Sequence, residues 1–173
     1  MIHVYTGDGK GKTTAAFGMA LRMVAAGKRV VAVQFLKDGT SGEARVLSGL
    51  PGATVLSAGD AAMFTSAMGE ADRARARGRH DAILGEAFSL VEAGRCDYLV
   101  LDEGAAALSE GLLDEGPVRA LLERARGSSG FELAFTGRTP PSFVLAAADY
   151  VTEMRCLRHP AQKGVMAREG VEL

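Results

Sequence analysis

The run Ile2-His3-Val4-Tyr5 is short, apolar and β-prone, and it breaks into Thr6-Gly7-Asp8-Gly9-Lys10-Gly11-Lys12-Thr13-Thr14. Few local patterns constrain a fold as tightly. A buried strand that empties into a glycine-rich turn and then a helix points several backbone N–H groups into one concave space, with the positive end of the helix dipole behind them. That space suits phosphate, with Lys12 placed to reach the terminal phosphates and the Thr13 hydroxyl to hold Mg²⁺. The usual pattern, G-x-x-x-x-G-K-[ST], puts its first glycine at position 6, where this chain has Thr6. The loop counted from Gly7 is shorter by one residue, which predicts a triphosphate pose unlike that of ordinary ATPases. A glycine-rich turn with incidental lysines leaves unexplained why Lys12-Thr13-Thr14 stands where the helix begins.

The remaining sequence alternates apolar runs with helical patterns. Strands are read over 2–5, 30–35, 53–56, 98–101, 131–135 and 150–154, and helices over 13–26, 43–47, 68–93, 114–126 and 142–147. Gly27 reads as the C-cap of the first helix, and Ile83, Leu84, Ala87, Phe88 and Val91 recur at helical spacing in the long one. The first half of that helix carries Arg73, Arg75, Arg77 and Arg79, which read as a solvated face, with a role facing phosphate or a larger ring ligand as the alternative. Strands alternating with helices predict an α/β chain with a mostly parallel central sheet flanked by helices. The 173 residues show no repeat, low-complexity tract or linker and read as one domain over 1–173.

Tyr98-Leu99-Val100-Leu101 runs straight into Asp102-Glu103, and beside a phosphate loop an acidic pair ending an apolar strand is a natural Mg²⁺-facing element. Composition removes several other classes. A formal net charge of −1 provides no field that would draw the chain to nucleic acid or to a membrane surface. Cys96 and Cys156 are the only cysteines, too few for a disulfide framework or a Cys-only zinc site. A guanine-reading N-K-x-D motif is excluded because the chain has no asparagine. The absence of a signal-like hydrophobic region and of a long uncharged apolar run predicts a soluble, cytoplasmic protein.

The strings YTGDGKGKTT, VAVQFLKDGTSGE, LVLDEG, FTGR, DYVTEM and HPAQKGVMAREGVEL together resemble the P-loop ATP:corrinoid adenosyltransferases, in the same order and from Ile2 to Leu173. The resemblance implies a RecA-like fold, a homodimer, and transfer of the 5′-deoxyadenosyl group of ATP to Co(I) of a corrinoid with release of triphosphate. It implies that Gly7, Asp8, Gly9, Lys10, Gly11, Lys12, Thr13 and Thr14 hold the triphosphate, with Lys10 and Lys12 neutralising its departure. Thr13 and Glu103 would hold Mg²⁺, Arg22 would touch the nucleotide, and Phe64 would lie at the corrin. An electron-donating reductase is implied as the source of Co(I). Because Co(I) is itself a strong nucleophile, no Ser, Cys or His nucleophile and no general base is needed, and His3, His80 and His159 read as structural.

The chain departs from better-known members in three places. It begins directly at the first strand, without the extension that folds over the corrinoid in those members; Phe64 stands without its tryptophan partner; and Gly104-Ala105 follow Glu103. Met63 and Phe64 read equally as core at the start of the long helix. Two rival functions stay open: a generic P-loop ATPase or small-molecule kinase, for which Arg138 would serve, and a non-catalytic nucleotide-dependent corrinoid-binding module.

Overall fold

A computed structural model describes residues 1–59 and 68–171. Six strands form one sheet: β1 (Ile2–Thr6), β2 (Val30–Gln34), β3 (Ala53–Ser57), β4 (Tyr98–Asp102), β5 (Glu132–Thr136) and β6 (Tyr150–Glu153). Their order is β3-β2-β4-β5-β1-β6 and every pairing is parallel, so the sheet is wholly parallel rather than mostly so. The helices are α1 (Lys12–Ala25), α2 (Gly42–Ser48), α3 (Glu70–Glu92), α4 (Gly104–Ser109), α5 (Glu115–Arg126) and α6 (Ser142–Ala147), and a 3₁₀ turn spans Pro160–Lys163.

Strands covered on both faces read as continuous apolar runs, and here successive side chains divide between two cores. Val31, Val33, Leu99, Leu101, Leu133 and Phe135 join the side of α3 and α5. Val30, Ala32, Tyr98, Val100 and Ala134 join Ala16, Phe17 and Ala20 of α1 and Leu47 of α2. At the outer edge β6 is exposed throughout, and Tyr150 stacks on His3 of β1 at 4.8 Å between ring centres. His3 Nε2 also meets Glu132 Oε2 at 2.8 Å, which ties β1 to β5.

Two differences from the sequence reading bear on the site. Phe35 leaves β2, although its N–H still bonds Asp102 O at 3.0 Å. Helix α4 has no counterpart in the sequence reading, because its six residues are too few for a periodic signal and it is held by packing. A Cβ on Gly104 would lie 2.9 Å from Leu101 Cβ, and one on Gly137 would lie 2.8 Å from Ala105 Cβ, so these small residues let α4 settle directly onto the ends of β4 and β5. The arginines of α3 are surface groups with acidic or carbonyl partners: Arg73 on Glu110, Arg75 on Asp72, Arg77 on Asp81.

At the opposite end of the sheet, Arg29 clamps the starts of β2 and β4. Its Nε and a terminal nitrogen donate to the two oxygens of Asp97 at 2.9 and 2.7 Å. These hydrogen bonds hold the Asp97 carboxyl well below its ordinary value, at about 2. A carboxylate depressed in the fold contributes stability that is present above its unfolded value and is lost as pH falls through its folded one. Asp97→Asn is therefore expected to lower the melting temperature at neutral pH and to flatten its fall between the ordinary 3.8 and about 2. Thermal melts of both proteins across that window check this; parallel curves would mean the clamp adds nothing.

Candidate active site

Because all strands run one way, the loops after β1, β2, β4, β5 and β6 open on one edge of the sheet, the usual place for a ligand in an open parallel fold. The loop after β1 is shaped by close approach. Gly7 has φ +99°, and a Cβ there would lie 2.3 Å from Met154 O; one on Gly9 would lie 2.7 Å from the same oxygen. The Gly9 N–H donates to Met154 O at 2.7 Å, and Asp8 Oδ1 accepts from Cys156 N–H at 3.0 Å, so the chain after β6 braces the loop. That backbone bond, first among several influences, lowers the Asp8 carboxyl.

Gly11, at φ +110°, ends the loop, and α1 starts at Lys12 with no side-chain cap on its first N–H groups. Uncapped N–H groups at the positive end of a 14-residue helix favour an anion. Lys12 Nζ curls over the loop and donates to Gly7 O at 2.8 Å and Gly9 O at 2.7 Å. Burial pulls this ammonium below the ordinary lysine value; Arg138 and Lys37 act in the same direction, while Glu103 and Asp8 oppose them.

Beside the loop, Asp102 is 0 % exposed and its carboxylate is fully engaged. Oδ1 accepts from the hydroxyls of Thr13 at 2.8 Å and Thr136 at 2.7 Å. Oδ2 accepts from Lys37 Nζ at 2.7 Å and Gln34 Nε2 at 3.1 Å. Thr136 in turn accepts from the Glu103 N–H at 2.8 Å. Glu103 is left-handed at φ +56°, and Leu36, the residue after Phe35, is left-handed at +54°. These are the only non-glycine residues at positive φ among those described, and such strain costs of order 1–2 kcal/mol at each. They sit just beyond adjacent strands and turn the chain at the edge where Lys37 and Glu103 meet the loop. Burial raises the Glu103 carboxyl, as does Asp102, whereas Lys37, Lys12 and Arg138 lower it.

The structure thus gathers Gly7, Asp8, Gly9, Gly11, Lys12 and Thr13 with the Asp102-Glu103 pair. Thr14 turns toward α2 and meets Glu43 Oε1 at 3.2 Å. Lys10 lines a neighbouring cleft of about 490 Å³ with Arg155, Arg158, His159 and Arg168. Arg22 is exposed in the last turn of α1, ten residues and roughly 15 Å of helix from Lys12, and does not join the cluster. Phe64 lies outside the described residues. Sequence reasoning missed Lys37 and Thr136; it read Asp102-Glu103 as a Mg²⁺-facing pair, with Glu103 the member the resemblance singles out, and in the structure Asp102 is the carboxylate bonded to Thr13. The available signal was topological: in an all-parallel sheet, strand-end residues such as Lys37 and Thr136 converge on one edge.

A wholly parallel sheet with a glycine loop entering a helix, and an acidic strand end one strand away across β5, defines a P-loop α/β protein of the RecA-like kind. The family described as ATP:corrinoid adenosyltransferase BtuR/CobO/CobP matches residues 1–173, and the chain belongs to it. The Corrinoid adenosyltransferase of Sinorhizobium sp is 32% identical over 99% of this chain and 79% of its own length. That of Escherichia coli (strain K12) is 33% identical over 99% of this chain and 85% of its own. Corrinoid adenosyltransferase CobA of Salmonella typhimurium is 31% identical, with the same coverage.

Proposed function

We propose that the protein transfers the 5′-deoxyadenosyl group of ATP to Co(I) of a reduced corrinoid and releases inorganic triphosphate. The observation that carries this reading is the convergence of Lys12, the uncapped start of α1 and the Thr13–Asp102 pair at one edge, in a chain that belongs to this family throughout its length. In this reaction the cobalt electron pair forms a bond to C5′ while the C5′–O bond breaks, and triphosphate leaves with that bond's electrons. Cobalt is formally oxidised by two electrons. The protein's tasks are to align C5′ with cobalt and to receive the developing anion. Lys12, Lys37, Arg138 and the loop N–H groups supply positive charge for the second task. Lys10 and the basic cleft beside it extend that charge outward.

The residues present suit Mg²⁺. Thr13, Asp102 and Glu103 offer hard oxygen donors, and an ammonium already rests on the first two, so the position favours a cation. Gln34 Oε1 is buried without a protein partner among the described residues and could accept from a metal-bound water. Bound there, Mg²⁺ would neutralise phosphate charge. Among the described residues no group of three or more His, Cys, Asp or Glu could hold a metal ion. Glu103→Gln is expected to raise the Mg²⁺ concentration at half-maximal activity by roughly tenfold, the value of one charge-assisted contact, without lowering the melting temperature. Titration of activity against Mg²⁺ checks this, and an unchanged midpoint would make Glu103 structural.

The reading extends to a homodimer, to a cytoplasmic location and to a reductase that supplies Co(I); among the described residues no helix is long and apolar enough to cross a membrane. The deciding experiment combines the protein, ATP and chemically reduced corrinoid. A cobalt–carbon spectrum with one triphosphate per adenosyl group is expected, whereas ADP without adenosylated corrinoid would point to a hydrolase or kinase.

A further inference from the structure

Lys37 is absorbed by none of the roles above except as general positive charge, yet its placement is specific. Its Nζ lies 2.7 Å from Asp102 Oδ2 and 3.1 Å from Thr13 Oγ1. The Thr13 hydrogen is committed to Asp102 Oδ1, so the lone pair facing Lys37 is the one a metal ion would take. The lysine reaches this point because its backbone is pinned on both sides. The preceding Leu36 N–H donates to His80 Nε2 at 3.4 Å, and buried His80 Nδ1 meets Leu112 O at 3.0 Å, a pairing that requires the Nδ1–H tautomer. The Lys37 carbonyl accepts from Ser57 Oγ at 3.2 Å. The carboxylate end of the ion pair is sealed at 0 % exposure, while the Lys37 side chain is 26 % exposed and has room to leave.

We propose that Lys37 is a built-in substitute for the divalent cation: it occupies the Thr13–Asp102 oxygens and keeps a metal ion from binding there until a triphosphate arrives. A dication and an ammonium repel one another, and Asp102 and Glu103 together carry too little negative charge to hold both. A triphosphate changes the balance twice, by giving the metal new oxygen ligands and by giving the displaced ammonium an anion to follow. Metal and nucleotide then load as a unit. This inference rests on the proposed metal–nucleotide chemistry but is tested without it.

The test is Mn²⁺ binding to the nucleotide-free, full-length protein, followed by electron paramagnetic resonance. Lys37→Met is expected to bind Mn²⁺ at least about tenfold tighter than the wild type, the scale of one charge-assisted contact, and Lys37→Arg to stay as weak as the wild type. Lys37→Gln, whose amide can still reach Asp102, should show the same gain if the methionine variant fails to fold. The double variant Lys37→Met/Thr13→Val should lose the gain; retention would put the metal elsewhere and overturn the proposal, as would an unchanged or weaker Mn²⁺ affinity in both neutral variants. A wild-type protein that adenosylates corrinoid while the neutral variants gain no Mn²⁺ affinity overturns this inference alone. A gain in the neutral variants, beside a wild-type protein that does not adenosylate, supports the inference and overturns the proposed function.

Discussion

Lys12→Ala is expected to lower adenosyl transfer by at least about tenfold, and by roughly a hundredfold to ten-thousandfold if two charge-assisted contacts to the triphosphate are lost at about 1.5–3 kcal/mol each. The loss has two sources in this structure. The ammonium leaves the phosphate site, and the loop loses the strut between Gly7 O and Gly9 O that Lys12 provides without a nucleotide. The second source predicts a modest fall in melting temperature as well. Formation of the cobalt–carbon product at saturating ATP, measured beside a thermal melt, separates the two. Wild-type turnover in the variant would remove the phosphate role from this loop.

Asp102→Ala should have the largest effect on the fold itself. The carboxylate accepts from four donors in a fully buried position, and its removal leaves two hydroxyls, an amide and an ammonium facing a cavity. Each buried donor left without a partner costs about 1–3 kcal/mol, and Thr136 and Gln34 are both fully buried. For a chain of this size each kcal/mol shifts the melting temperature by roughly 2–4 °C, so a drop on the order of 10 °C is expected, together with loss of transfer. Differential scanning calorimetry reads the first and product formation the second. A variant that melts like the wild type would show that Thr13, Thr136 and Gln34 find other partners, and that Asp102 does not organise the edge.

The elements that were legible in the sequence are those whose cause is local. Ile2 to Thr14 declares a strand, a phosphate-type loop and a helix because the apolar run, the glycines and Lys12-Thr13 are contiguous, and the structure has β1, that turn and α1 in those places. The central strands were readable for a related reason: burial on both faces leaves unbroken runs such as Leu99-Val100-Leu101. Helix α4 was not, since six residues held by the fit of Gly104 against Leu101 and of Gly137 against Ala105 carry no period of their own.

The site divides along the same line. Asp102 and Glu103 are neighbours in sequence and look interchangeable as an acidic pair. The sheet buries Asp102 beneath Thr13 and Thr136, and the left-handed turn at Glu103 sends the chain into α4. Arg22, which the resemblance attaches to the nucleotide, stands in the last turn of α1, apart from the cluster at the start of that helix. Lys37 and Thr136 come 24 and 123 residues after Thr13, and nothing in their own segments links them to it. They meet because β2 and β5 flank β4 in one parallel sheet, so three strands end together around one buried carboxylate. The glycine-rich turn into α1 and the α/β class were thus readable from residues, since their causes lie within a few positions of one another. Which distant donors close around Asp102 follows instead from strand order, which no single segment encodes and which sets which strand ends become neighbours.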